Sequence, residues 1–263
     1  WAGIEPPAIL GYDVSGVVAA VGDAVHDFVV GDEVYYTPDI FAGSGSYAEY
    51  HAANEKIVAH KPINLSHTEA ASIPLVGSTA WDALIMKAKL RVSESVLIHG
   101  AGGVGSLAIQ LAKAAGAYVI VTCSGYMVDL AGQLGADRAI NYKTEDFVDI
   151  IKTETDGFGV DVVLDTVGGD VLTRSIEVTK PFGRMVGIVS TEAGLQDAFV
   201  KNIAVYPTFL QRARYKLDAL RDLIERGQLK PVIDTVMPLE KVAEAHQRLE
   251  AGGVKGKLVL EVT

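Results

Sequence analysis

The chain has 263 residues, 49% hydrophobic and 21% charged, the composition of a globular protein of about two domains. Its net charge of −10 and pI near 5.1 exclude a nucleic acid or an anionic membrane as partner, because both need a basic face. No apolar run reaches the roughly 18 residues of a membrane span, and the one cysteine, Cys123, excludes an intrachain disulfide or a multi-cysteine zinc lobe and fits a reducing cytoplasm.

From Ile9 to about Val58, short apolar or alternating runs broken by glycine read as β-rich. Val14 to Val21 is a strand candidate, Gly31-Asp32 turns into Glu33 to Tyr36, and residues 43–46 form a loop before Tyr47 to Tyr50. Ser66, with Glu69 three residues on, writes a capping box for a helix reaching Ile73, and a second helix is predicted over Thr79 to Ala88.

Ser95 to His99 is a short apolar run that leads into Gly100-Ala101-Gly102-Gly103-Val104-Gly105, a GxGxxG pattern. Leu107, Ala108, Leu111, Ala112 and Ala115 then recur at helical spacing up to Gly116, and Ala117 to Thr122 reads as a second buried strand. This is one βαβ unit of about 30 residues, whose turn binds anions. Glycines let backbone approach a pyrophosphate, and the helix starting near Val104 turns N–H groups and its positive dipole end toward it. Gly100, Gly102, Gly103, Val104 and Gly105 are therefore cofactor-binding candidates for a dinucleotide.

The end of the second strand separates the two nicotinamide cofactors. An NAD site places Asp or Glu there for the ribose 2′-hydroxyl, whereas an NADP site must avoid that charge. Here the strand ends Thr122-Cys123-Ser124-Gly125, and the first carboxylate, Asp129, falls in the next helix. Ser124 donates to a 2′-phosphate without repelling it, so the reading favours NADPH. Lys143, beyond a third strand at Ala139 to Asn141, has two readings: the cation for that phosphate, or a solvated loop lysine.

Alternation continues with helices over Val128 to Leu134, Glu145 to Thr153 and Asp170 to Val178, and strands over Val160 to Asp165 and Arg184 to Val189. This pattern predicts an α/β doubly wound parallel sheet, with Ile203 to Leu210 as its edge strand. A helix over Tyr215 to Arg226, a strand at Val232-Ile233, a helix over Leu239 to Leu249 and a closing strand over Lys257 to Val262 fall outside the alternation and return to the β-rich domain.

The run His99 to Gly105 continuing through Ala108-Ile109-Gln110-Leu111-Ala112-Lys113 resembles the medium-chain dehydrogenase/reductase superfamily, in its zinc-independent quinone oxidoreductase-like branch. So do Ile9-Leu10-Gly11-Tyr12-Asp13, Val30 to Val34, Gly45 to Tyr50, Ala70 to Pro74, Leu134 to Asp137 and Lys255 to Leu260. The resemblance implies a GroES-like catalytic domain over residues 1–77 and 216–263, a Rossmann domain over 78–215 inserted in it, and a cofactor in the cleft. It also implies that the first strands and an early loop of the family lie outside this sequence, which starts at Trp1 in mid-pattern.

Metal-dependent relatives carry a histidine ligand where this chain has Tyr12 and a cysteine ligand near Leu75, so the resemblance implies no catalytic zinc. The six histidines show no i, i+4 pair. Thr79 matches a threonine near the nicotinamide or its phosphates, or is a helix N-cap. Tyr142 matches a tyrosine at the adenosine end, or simply packs. Ile188, Val189 and Ser190 sit where backbone meets the nicotinamide amide, and Tyr12 lines the substrate side. No catalytic acid or base is identified.

Without a Lewis acid, a simple ketone loses several kcal/mol of polarisation. Quinones and enones spread the incoming charge themselves, so the expectation is hydride transfer from NADPH to a quinone or other conjugated carbonyl. The alternatives are a 2-enoyl or alkenal reductase, or a cofactor-binding protein with little turnover. The apolar run Ile203 to Leu210 at a sheet edge further predicts a homodimer.

Overall fold

A computed structural model describes residues 7–39, 45–189 and 194–262. Two compact units make up the chain, one of residues 1–78 and 211–263, the other of residues 79–210.

In the first unit, β1 (Val14–Val17) pairs antiparallel with β2 (Glu33–Tyr36), and β2 with the short β3 (Ala59–His60). The first strand stops four residues short of the predicted Val21. Beyond it the chain turns, and only single bonds such as Val18 N to Asp32 O persist. Tyr47 to Tyr50 form bends rather than a strand, with Tyr47 N donating to Leu10 O at 2.8 Å; the loop expected before them lies partly outside the described residues. Tyr35 is fully buried in β2, and its hydroxyl donates to Leu217 O at 2.6 Å.

The capping box predicted at Ser66 is present: Ser66 Oγ accepts from Glu69 N, and Glu69 Oε2 accepts from Ser66 N at 2.8 Å, starting α1 (His67–Ala71). The following helix differs from expectation. α2 (Pro74–Trp81) begins five residues before Thr79 and continues as a π-helical stretch over Asp82–Lys87. Proline is preorganised for a first helical turn, and Gly77 is carried inside the helix by its bond to Ile73 O at 2.7 Å. Thr79 is thus an interior helical residue, and its reading as an N-cap is withdrawn.

The second unit alternates strand and helix: β4 (Ser95–His99), α3 (Gly103–Ala114), β5 (Tyr118–Cys123), α4 (Val128–Gln133), β6 (Arg138–Asn141), α5 (Phe147–Glu154), β7 (Val160–Asp165), α6 (Val171–Ser175), β8 (Thr179–Gly187), α7 (Gln196–Val200) and β9 (Ala204–Pro207). All six strands are parallel, in the order β6-β5-β4-β7-β8-β9. This is a Rossmann-like doubly wound sheet, whose winding reverses between β4 and β7. Such strands are covered on both faces, which explains the unbroken apolar runs Val96 to Ile98 and Val162 to Leu164, every residue of which is buried. One face packs Leu97, Ile120, Val163 and Met185 against Phe147, Ile151 and Leu172. Burying each such side chain contributes roughly 1.5–3 kcal/mol.

Strand β8 starts five residues before the predicted Arg184 and ends at Gly187, so Ile188 and Val189 lie just beyond it. Pro181 and Gly183 mask its first half, where Phe182 adopts a left-handed φ of 63°. The predicted edge strand over Ile203 to Leu210 is ordered as a strand only over Ala204–Pro207.

The remainder returns to the first unit: α8 (Arg214–Glu225), β10 (Ile233–Pro238), α9 (Val242–Ala251) and β11 (Lys257–Glu261). Leu217, Leu220 and Ile224 form the buried stripe of α8, and β10 pairs parallel with β11.

His99, at the last position of β4, is almost fully buried. Its Nδ1 meets Thr122 Oγ1 at 2.9 Å and its Nε2 meets Ser175 Oγ at 2.8 Å, while its ring stands edge-on to Phe147. Burial, reinforced by the charge of Arg174, holds its pKa down to about 3. The unfolded chain, with an ordinary histidine near 6.5, therefore binds the proton first as pH falls. This contribution to stability is complete above pH 6.5 and is lost progressively toward pH 3, at roughly 1 kcal/mol per pH unit. The carboxylates Asp146, Asp161 and Asp234 are held below their usual value, so the stability they add is lost only as pH falls through the ordinary carboxylate range and below it. Urea midpoints measured between pH 7 and 4.5 are expected to fall with that slope, and His99→Gln to flatten it.

Candidate functional site

The turn between β4 and α3 lies at the reversal of the sheet, on the carboxyl side of its strands, where such folds bind ligands. Its three motif glycines do three different things. Gly100 has φ +91°, and a Cβ there would meet Thr166 Oγ1 at 2.6 Å. A Cβ on Gly105 would overlap the carbonyl oxygen of Gly100, so only glycine lets α3 pack this closely on the end of β4. Gly102 has open space where its side chain would be. It is the N-cap of α3 and has no side chain to cap with, so the opening turn at Gly103, Val104 and Gly105 presents its N–H groups with the positive end of the helix dipole. A tight turn, an open approach and a close helix–strand contact are what a dinucleotide diphosphate needs from these positions.

The turn is held from beneath. Thr166 Oγ1 donates to His99 O at 2.6 Å, and Asp165 Oδ1 accepts from Val167 N and Gly168 N at 2.8 and 2.9 Å. Asp165 is completely buried, and its Oδ2 has no hydrogen-bond partner among the described residues. Sequence reasoning passed over both residues. The signal was a polar pair closing the apolar run of β7, at the strand end facing the glycine turn.

At the ends of β5 and β6, Ser124 and Tyr142 are brought together, their hydroxyls 3.1 Å apart. Tyr142 is 55% exposed, so it is not packed away. The two strand ends abut closely, since a Cβ on Gly125 would meet Asn141 Nδ2 at 2.9 Å. Lys143 is exposed and its N–H donates to Asn141 Oδ1. Ile188 N bonds to Asp165 O, which places Ile188 and Val189 beside the end of β7; Ser190 lies outside the described residues.

Tyr12 and Leu75 belong to the first unit. Tyr12 is 42% exposed, and its carbonyl accepts from Thr37 Oγ1 at 2.6 Å. The neighbouring Asp13 is occupied: Oδ1 accepts from Leu75 N at 2.6 Å, and Oδ2 pairs with Lys257 Nζ at 2.8 Å. No three His, Cys, Asp or Glu side chains among the described residues are gathered to hold a metal ion. The Asp13 carboxylate thus already faces an ammonium.

Nearby, Tyr47 OH meets His246 Nε2 at 3.2 Å, and burial, with the neighbouring Tyr12 and Asp13, pushes the Tyr47 phenol above its ordinary value.

Comparison with known proteins places this geometry in context. Residues 1–63 match the alcohol dehydrogenase GroES-like domain and residues 134–260 the zinc-binding dehydrogenase domain. A 2-methylene-furan-3-one reductase of Solanum lycopersicum is 40% identical over 268 residues, covering 97% of this chain and 63% of that protein. The mitochondrial NAD(P)H oxidoreductase RTN4IP1 of Danio rerio is 32% identical over 288 residues, covering 99% of this chain and 73% of the relative. The chain thus spans about two thirds to three quarters of the length of these curated relatives. The structure of the quinone oxidoreductase from Coxiella burnetii superposes with a TM-score of 0.89 at 38% identity, over 98% of this chain and 80% of that one. With the glycine turn, the doubly wound sheet and these end-to-end likenesses together, the chain belongs to the medium-chain dehydrogenase/reductase superfamily.

Proposed function

We propose that this protein is an oxidoreductase that transfers hydride from NADPH to a quinone or another conjugated carbonyl, without a metal. That it is an NAD(P)H-dependent oxidoreductase follows from its relatives; the finer reading rests on residues. The observation that carries it is the uncapped start of α3 beneath the open Gly102, a cradle for a diphosphate. NADPH over NADH is supported by Ser124 and Tyr142, two hydroxyls 3.1 Å apart at the end of β5 with no carboxylate at that position, and by the exposed Lys143 close by in sequence. Metal-free chemistry is supported by Tyr12 and Leu75 where metal-dependent relatives hold ligands, and by the prior commitment of Asp13.

In this reading Gly102 to Gly105 bind the diphosphate, Ser124, Tyr142 and Lys143 the adenosine end, Thr79 and the Ile188 to Ser190 segment the nicotinamide end, and Tyr12 the acceptor. The cofactor supplies the hydride. The protein's part is to hold donor and acceptor in line, which alone supplies a large share of such a rate. A quinone or enone delocalises the charge it receives, so a few hydrogen-bond donors replace a Lewis acid. Reduction of an enone is the second reading, favoured by the likeness to the furanone reductase. The lone Cys123, buried at the end of β5, suits a reducing compartment such as the cytoplasm. The outer position of β9, bonded on one side to β8, supports a homodimer through residues 203–210.

Three outcomes test this. Oxidation of NADPH, followed by its absorbance, is expected with 1,4-benzoquinone or a 2-alkenal and to survive a chelator, whereas loss of turnover on chelation would refute metal-free chemistry. Ser124→Asp is expected to lower kcat/KM for NADPH roughly tenfold and to raise it for NADH, the effect of about 1.4 kcal/mol of charge repulsion. Light scattering at micromolar concentration is expected to give twice the chain mass of 27.9 kDa.

A further inference from the structure

Asp13 and Lys257 stand 244 residues apart in sequence, yet their side chains form an ion pair at 2.8 Å with only 11% and 22% of their surfaces exposed. Such a pair is a poor device for stability, since desolvation cancels much of its attraction. What it does is fix geometry. Asp13 also accepts Leu75 N, so one carboxylate ties the segment around Tyr12 both to β11 and to the first turn of α2. The same segment is pinned from its other side by Tyr47 N on Leu10 O, Ser46 N on Gly11 O and Thr37 Oγ1 on Tyr12 O. Every bond falls on the backbone or on Asp13, and the Tyr12 side chain is left 42% exposed in the middle of the frame.

We propose that Lys257 is a positioning residue for the acceptor: through Asp13 it holds the segment that carries Tyr12 in one arrangement beside the acceptor. This rests on the reading that the acceptor binds beside Tyr12. Removing the ammonium leaves the Asp13 carboxylate largely buried and unpaired. It then turns toward water, releases Leu75 N, and frees the Gly11 to Asp13 segment.

The experiment compares Lys257→Met and Lys257→Arg, each alone and in a Tyr12→Phe background. NADPH affinity is measured by fluorescence titration, thermal midpoint by calorimetry, and acceptor kinetics at saturating NADPH with 1,4-benzoquinone and a 2-alkenal. Lys257→Met is expected to raise the acceptor KM about tenfold with NADPH affinity unchanged, Lys257→Arg to restore it within about threefold, and Lys257→Met to add less than about twofold once Tyr12 is Phe. Acceptor KM unchanged in Lys257→Met overturns the proposal. So does an equal loss in both Tyr12 backgrounds, or acceptor and NADPH parameters worsening together with the thermal midpoint, which marks a purely structural pair. A wild-type chain that binds NADPH but reduces neither acceptor overturns the functional reading and the positioning role with it.

Discussion

The close approach of Gly105 to the carbonyl of Gly100 is the constraint on which the second unit depends. Because no side chain intervenes, α3 starts immediately above the end of β4, and its first N–H groups open onto the reversal point of the sheet. Thr166 and Asp165 brace the turn from β7, and His99 braces it from β4 through Thr122 and Ser175. These braces are hydrogen-bonded to one another, apart from Asp165 Oδ2, which has no partner among the described residues. An anion-binding turn needs such support, because its own backbone donors are left unmade until a ligand arrives.

The first unit solves a different problem. Hydrogen bonds from Thr37, Ser46 and Tyr47, with one ion pair, fix the chain around Tyr12. Individually each is worth about 1 kcal/mol. Arranged along the four residues Leu10 to Asp13, they leave the segment few alternative conformations.

Much of this was legible in the sequence, for reasons that differ by element. Parallel strands buried on both faces read as plain apolar runs, so β4 and β7 appear at their true limits. The glycine turn is a local signal, since a strand, three glycines and a helix follow one another without interruption. Boundaries failed where one residue type carries two meanings. Gly77 reads as a breaker but sits inside α2, and Pro181 with Gly183 hides a strand that tolerates both at its start. At the site, Ser124 could be named from its strand end and Tyr142 from the family resemblance, and the structure adds their contact. Asp13 with Lys257, and Thr166 beneath Gly100, were out of reach, because nothing in spacing reveals which distant side chains meet.

The pairing of Asp13 with Lys257 and of β10 with β11 has a consequence for biogenesis. Residues 79–210 form one uninterrupted segment, able to reach its final structure while the ribosome is still adding the rest. The other unit is split around it and lacks its last strand until Lys257–Glu261 emerge. During translation, then, one unit is complete while the other still lacks its closing strand, and that interval is when chaperone contact matters most.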